Sequence, residues 1–355
     1  MEVRTATDWI GRVLSAPRSP DFDRLLAVLR REQPDRPALF EFHMNNRLVE
    51  RLAGCPVPGL DDRAGHLAVQ AKAYRTAGFD HVLVSGQQFG FWFASRKHVR
   101  GPIAAGDSRG CFWDREGMER YPWPDPDALD RRPLRNAALL PPGMRLVMAG
   151  PMGVLENVIV LLGYEQLCLL TEDDPAFLDE VFERVGSRFV RFYELVASEP
   201  SVGAAVVNDD WGFKTGPMLS PAQMRRWVFP WHRRIVQAVH AAGRPAILHS
   251  CGQLDLLMDE IIDDLRLDGK HSFEDAILPV ESAWRRWGDR IALLGGVDVD
   301  FLSRADTTAI HGRACALLET TRCRGYALGS GNSVPDFLPD ESYCALLAAA
   351  MDVRF

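Results

Sequence analysis

The segment AILHSCGQLD, residues 246–255, sets His249 and Cys251 two positions apart, after an apolar run and directly before Gly252. Alternate residues of an extended chain face the same side, so an imidazole and a thiol are aimed at one point. That pair suits zinc, which takes nitrogen and sulfur donors at about 2.0–2.3 Å and keeps one position open in catalytic sites. Two donors need a third, and Ser330, His271 and Glu274 are the candidates at other strand ends. A glutamate oxygen completes many such sites, which favours Glu274. The second concentration of chemistry is Asn208-Asp209-Asp210-Trp211. Two adjacent carboxylates on an extended segment face opposite ways, so one of Asp209 and Asp210 reaches a pocket. The other caps a following helix or pairs with an arginine. A pocket-facing carboxylate can bind a cationic group, orient His249 or act as a general base.

The elements that must position these residues alternate regularly. Strand patterns at 37–44, 80–86, 145–150, 204–210, 245–250, 268–273, 290–298 and 325–330 are each followed by a helical pattern. The helix over 220–243 carries a proline in its middle and should kink there. About eight strand-then-helix units with short connections predict an α/β fold, a (β/α)8 TIM barrel over residues 36–355. Extra N-terminal helices occupy 1–35. A doubly wound sheet is the competing fold, but no GxGxxG follows the first strand. In a barrel the C-terminal strand ends open on the active site. His43, Asn46, Gln87, Asn208, Trp211, His271, Ser330 and Asn332 then become candidate substrate-binding residues. Asp209, Asp210, His249 and Glu274 become candidate catalytic groups. Asp298 and Ser333 read equally well as helix caps. The aromatic run FGFWFASRKHVRG (89–101) serves either as core or as a pocket lining.

Composition narrows the class. The chain has 355 residues, 47% hydrophobic and 25% charged, with a net charge of −7. That balance supplies no electrostatic attraction to nucleic acid or to an anionic membrane. No apolar run approaches the roughly 18 residues of a membrane span. The seven cysteines have no framework spacing, which predicts a reduced, cytoplasmic setting.

Five segments carry a family resemblance: YPWPDP (121–126), NDDW (208–211), LSPAQMRRWVFPWHRRIVQAVHAAGRPAILHSCG (219–252), LLGGVDVDFL (293–302) and ALGSGNSVPD (327–336). Together they resemble the uroporphyrinogen decarboxylase superfamily, whose barrel serves both decarboxylases and zinc methyltransferases that act on corrinoid-bound methyl groups. Decarboxylases of uroporphyrinogen carry an arginine-rich loop near the N-terminus. The corresponding FEFHMNNRLVERLAG has only Arg47 and Arg51, so a genuine uroporphyrinogen decarboxylase is not expected. The resemblance implies a methyltransferase with His249 and Cys251 as zinc ligands. The family's third ligand is a cysteine in a G-C-G context, and here the run is Gly329-Ser330-Gly331. Three arrangements stay open: a substitute ligand such as Glu274 or His271, a site completed by substrate, or a metal-free site.

The methyl donor implied is a methylated corrinoid protein or a small methoxy or methylamine compound, and the acceptor a thiol or the corrinoid. The chain has no D-x-H-x-x-G motif, so methylcobalamin would arrive on a partner corrinoid protein. A homodimer is the family-level expectation. The competing readings are a metal-free decarboxylase of a small carboxylic acid, with His249 as proton donor, and a non-catalytic ligand-binding barrel.

Overall fold

A computed structural model describes residues 7–94 and 110–355, so part of the 89–101 aromatic run lies outside the described residues. The fold is mixed α/β with two compact units. The first unit comprises residues 1–83, 136–146 and 268–355; the second comprises 84–135 and 147–267. The parallel strands are, in chain order, β1 (His81–Ser85), β2 (Arg145–Ala149), β3 (Val202–Asn208), β4 (Ala246–His249), β5 (Gly269–His271), β6 (Ala292–Leu294) and β7 (Tyr326–Ala327).

The second unit holds the ends of β1 and β2 together with β3 and β4, adjacent in that order. All seven residues of β3 and all four of β4 are buried, as expected of parallel strands covered on both faces. They pair in parallel with Ala205 opposite Ala246 and Asn208 opposite His249. The helix Pro175–Ala197 begins where the Asp174 carboxylate accepts the Phe177 N–H at 2.9 Å and proline occupies the first turn. The expected kink at Pro230 takes a definite form. A short helical turn at Pro221–Gln223 passes into a wide i→i+5 turn over Met224–Val228 before regular helix resumes at Phe229–Ala241. Proline lacks the N–H for an i→i−4 bond, and the wide turn absorbs the defect. A second wide turn over Glu260–Asp264 interrupts the helical pattern expected after the strand at 245–250.

The first unit contains β5, β6 and β7 in that order, parallel, with His271 opposite Leu294 and Leu294 opposite Ala327. Its N-terminal helices Trp9–Ser15 and Asp23–Leu29 bury Trp9, Val13, Leu25, Val28 and Leu29. The segment predicted as the first strand, 37–44, makes only isolated bridges, Leu39 to Leu328 and Met44 to Val334. The reason is Glu41. Its carboxylate accepts the Phe42 N–H at 3.1 Å and the Ser330 N–H at 3.1 Å, so a side chain replaces the backbone ladder between the two bridges. No single described helix is long and apolar enough to cross a membrane.

Candidate metal centre at the ends of two adjacent strands

β3 and β4 run side by side, and the segments beyond them stay zipped. The Asp209 N–H donates to the His249 carbonyl at 2.9 Å. The Trp211 N–H donates to Ser250 Oγ at 3.1 Å, and the Gln253 N–H to the Phe213 carbonyl at 2.8 Å. Gly252 has φ +88°, and a Cβ there would lie 2.2 Å from the Gly212 carbonyl carbon. Only glycine permits both the left-handed backbone and that approach.

This framework brings His249, Cys251 and Asp210 together, with one ligand atom from each lying within 4.8 Å of the others. Cys251 Sγ is 3.9 Å from His249 Nε2. Nitrogen and sulfur donors at zinc bond lengths in a tetrahedral arrangement stand about 3.6 Å apart, so this pair needs a contraction of only a few tenths of an ångström. The Asp210 carboxylate also accepts the Cys251 N–H at 2.8 Å, which ties the oxygen donor to the strand that carries the other two. His249 is buried and Cys251 half-buried. A nitrogen, a thiolate sulfur and a carboxylate oxygen on two rigid strand ends fit a borderline divalent ion such as zinc.

The neighbouring Asp209 points the other way and is fully buried. It accepts the Leu155 and Glu156 N–H groups, both at 2.9 Å, at the start of the helix Val154–Leu162. It also lies 2.8 Å from His232 Nε2. The strand alternation therefore divides the two carboxylates as expected. The buried one grips the preceding helix and a histidine, rather than a following helix or an arginine. Trp211 is fully buried, edge-on to His232 at 4.8 Å and beside Phe229, and offers no surface to a ligand. Asn208 is buried at the end of β3, and its Oδ1 has no hydrogen-bond partner among the described residues.

Two residues of this centre escaped the sequence reading. His232 lies in a helix whose apolar face conceals it. Glu156 interrupts the apolar run VLENVIVLL, the one signal that could have exposed it. Its carboxyl accepts the Gly153 N–H at 2.9 Å. Burial, followed by the negative charges of Asp209 and Asp210, pushes it up to about 8.

The remaining predicted residues sit elsewhere. Gln87 is exposed on the turn Gly86–Phe89. In the first unit His43 and Asn46 are exposed, and Asn45, not Asn46, caps the helix Asn46–Ala53. His271 is buried against the rings of Phe40 and Phe42. Glu274 is half-buried and heads a turn, its carbonyl accepting from Ile277 and Leu278. Among the described residues, the grouping of metal-type donors contains neither Glu274 nor His271. Asp298 caps the helix Val299–Arg304. Asn332 is half-buried beside Ser333.

Ser330 is fully buried, and its hydroxyl donates to Glu41 at 2.8 Å. The Tyr343 hydroxyl donates to the same carboxyl at 2.9 Å. Complete burial outweighs these donors and pushes the Glu41 carboxyl up to about 7. A lone acid inside the apolar PALFEFHM was the visible sign of this site. Arg47 and Arg51 both pair with Asp340, at 2.8 and 3.0 Å.

With this geometry in hand, the comparisons define the class. The family described as Uroporphyrinogen decarboxylase (URO-D) matches residues 147–353, more than half of the chain. The chain belongs to that family. Its fold is similar to that of a methyltransferase from Methanosarcina mazei, with 18% identity over 93% of this chain and 97% of that one, and a TM-score of 0.71. Xylanase B from Clostridium stercorarium F9 (12% identity, 58% and 78% coverage, TM-score 0.34) carries no argument. Nor does a GH27 β-L-arabinopyranosidase from Geobacillus stearothermophilus (12% identity, 91% and 78% coverage, TM-score 0.41). A comparison with curated proteins finds no match.

Proposed function

We propose that this chain is a metal-assisted methyltransferase, with zinc held by His249, Cys251 and Asp210. The scaffold we assign is a (β/α)8 barrel. The observation that carries the reading is the convergence of three donor types within 4.8 Å at the ends of β3 and β4. The methyltransferase-like fold supports it. Asp210 takes the place left by the family's third cysteine, since the Ser330 hydroxyl is committed to Glu41. When bound, zinc would lower the pKa of a substrate thiol, so that a thiolate is available at neutral pH.

This chain's own residues supply the rest. Bound as thiolate and carboxylate, Cys251 and Asp210 would offset the two positive charges of the ion. The neutral His249 keeps the net charge of the set near zero. Asp209 and His232 hold the end of β3 rigid from the buried side. The thiol is the methyl acceptor in this reading. The donor is a methylated corrinoid protein or a small methoxy or methylamine compound. Arg47 and Arg51, engaged by Asp340, leave no cationic loop there for a tetrapyrrole with many carboxylates.

Metal content by mass spectrometry tests the assignment on untagged wild type, Cys251→Ala and Asp210→Ala. About one zinc per chain in wild type, lost in the cysteine variant and reduced in the aspartate variant, is the expected result. Metal-free wild type from a chelator-free preparation overturns it, and decarboxylation of a small carboxylic acid becomes the reading to assay.

A further inference from the structure

We infer that Asn208 sets substrate specificity: its side-chain oxygen receives an N–H donor of the methyl acceptor, which makes that acceptor an aminothiol. The inference rests on the methyl-transfer reading above and names the substrate class of the same site. Asn208 closes β3 and is paired in register with His249 on β4. Residues so paired present their side chains on one face, a strand spacing of about 4.8 Å apart. The pairing continues one residue further, where the Asp209 N–H donates to the His249 carbonyl at 2.9 Å. Alternation then gives Asn208 the face of Asp210 and leaves Asp209 on the other. Asp209 marks that other face, because it binds the Leu155 and Glu156 N–H groups and the His232 ring. Asn208 therefore shares the donor face with His249, Asp210 and Cys251.

The Asn208 side chain is committed to nothing there. The residue is 7% exposed, and its Oδ1 is buried with no hydrogen-bond partner among the described residues. A buried oxygen left unpaired is destabilising, and leucine, of similar size and shape, would fill the position without that penalty. Stability given up at a binding face points to a ligand that completes the bond. Charge selects the ligand. Cys251 and Asp210, bound as thiolate and carboxylate, balance a divalent ion, so a substrate thiolate leaves one negative charge in excess. An ammonium two carbons from that sulfur removes the excess and brings its N–H to Oδ1. A carboxylate or sulfonate in its place would add to the excess and has no hydrogen to offer.

The test uses cobalt(II)-loaded full-length protein, as wild type and Asn208→Leu. Each is titrated with 2-aminoethanethiol and with its isostere 1-propanethiol, which ends in a methyl group. Growth of the cobalt–thiolate charge-transfer band gives each affinity. The preference for the amine in wild type, divided by that in the variant, cancels the acidity of each thiol and the field of the surrounding carboxylates. That quotient should be about 10–100, the range for a hydrogen bond from a charged donor. A quotient near 1 overturns the inference, and is the result if a bound water always satisfies Oδ1. The metal-free Asn208→Leu protein should also melt no lower than wild type. A merely structural amide gives a lower melting temperature together with a quotient near 1.

If Asn208→Leu does not fold, Asn208→Ala carries the comparison with the same expected quotient. Asn208→Asp keeps an acceptor oxygen and should retain the wild-type preference; a preference as low as that of Asn208→Leu overturns the inference. Wild type that shows no cobalt–thiolate band before any thiol is added overturns the methyl-transfer reading and this inference together. That band present, with a quotient near 1, overturns this inference alone.

Discussion

Replacing Glu41 by glutamine should flatten the pH dependence of stability. The folded carboxyl stands at about 7 because burial strips its water, against an ordinary value of 4.5 in the unfolded chain. The folded state therefore holds this proton more tightly. The resulting stabilisation is complete below pH 4.5 and is lost as pH rises through 7. Worked through the linkage relation, the loss between pH 5 and pH 8 is about 2.5 kcal/mol. A chain of this length unfolds with an entropy of about 0.7 kcal/mol/K, so the melting temperature should fall by about 3 °C from this group alone.

Glutamine has no proton to lose, so wild type minus Glu41→Gln isolates the contribution while other titrating groups cancel. The absolute stability of the variant is not the readout. Its amide NH2 meets the Phe42 N–H and Ser330 hydroxyl donors that now face oxygen, and this costs stability at every pH. Thermal melts of both proteins at half-unit steps from pH 5 to pH 8 give the curves. Parallel curves would refute the reasoning, because they mean that the Glu41 proton does not distinguish folded from unfolded chain.

Two further perturbations act on the frame of the metal centre. Asp209→Ala leaves two helix N–H groups and His232 without their acceptor in a dry interior, and should cost about 3–5 kcal/mol in urea unfolding. A loss below about 1 kcal/mol would mean that the buried carboxylate is not the anchor. Gly252→Ala forces a Cβ into the Gly212 backbone at a left-handed φ, and should cost at least about 1–3 kcal/mol and lower zinc content. Unchanged stability and metal content would show that the close approach of the two segments does not shape the site.

Some of this was readable along the chain because it depends on local periodicity. Seven of the eight predicted strands form within a few residues of their expected bounds, since fully buried apolar runs bounded by glycine and proline have few alternatives. The exception, 37–44, fails as a strand for a reason carried by one residue. Glu41 is an isolated acid in an apolar run, and only a neighbour 289 positions away, Ser330, shows what it binds. Likewise the wide turn before Phe229 follows from a proline that the sequence displays, whereas the wide turn at Glu260–Asp264 had no such marker.

At the candidate centre the division is sharper. Strand parity, a property of the backbone alone, determined that His249 and Cys251 share a face and that Asp209 and Asp210 do not. Which aspartate would face the thiol depended on the register that sets Asn208 opposite His249, and on the helix start that claims Asp209. The third donor was therefore sought at Glu274, a strand end by sequence, while the donor grouping formed with Asp210. Glu156 and His232 reach this centre only through packing, across 53 and 23 positions from Asp209. Local alternation is encoded within a few residues. The partner that satisfies a buried charge is chosen by whichever donors the finished fold brings within hydrogen-bonding distance, and no short-range pattern records that choice.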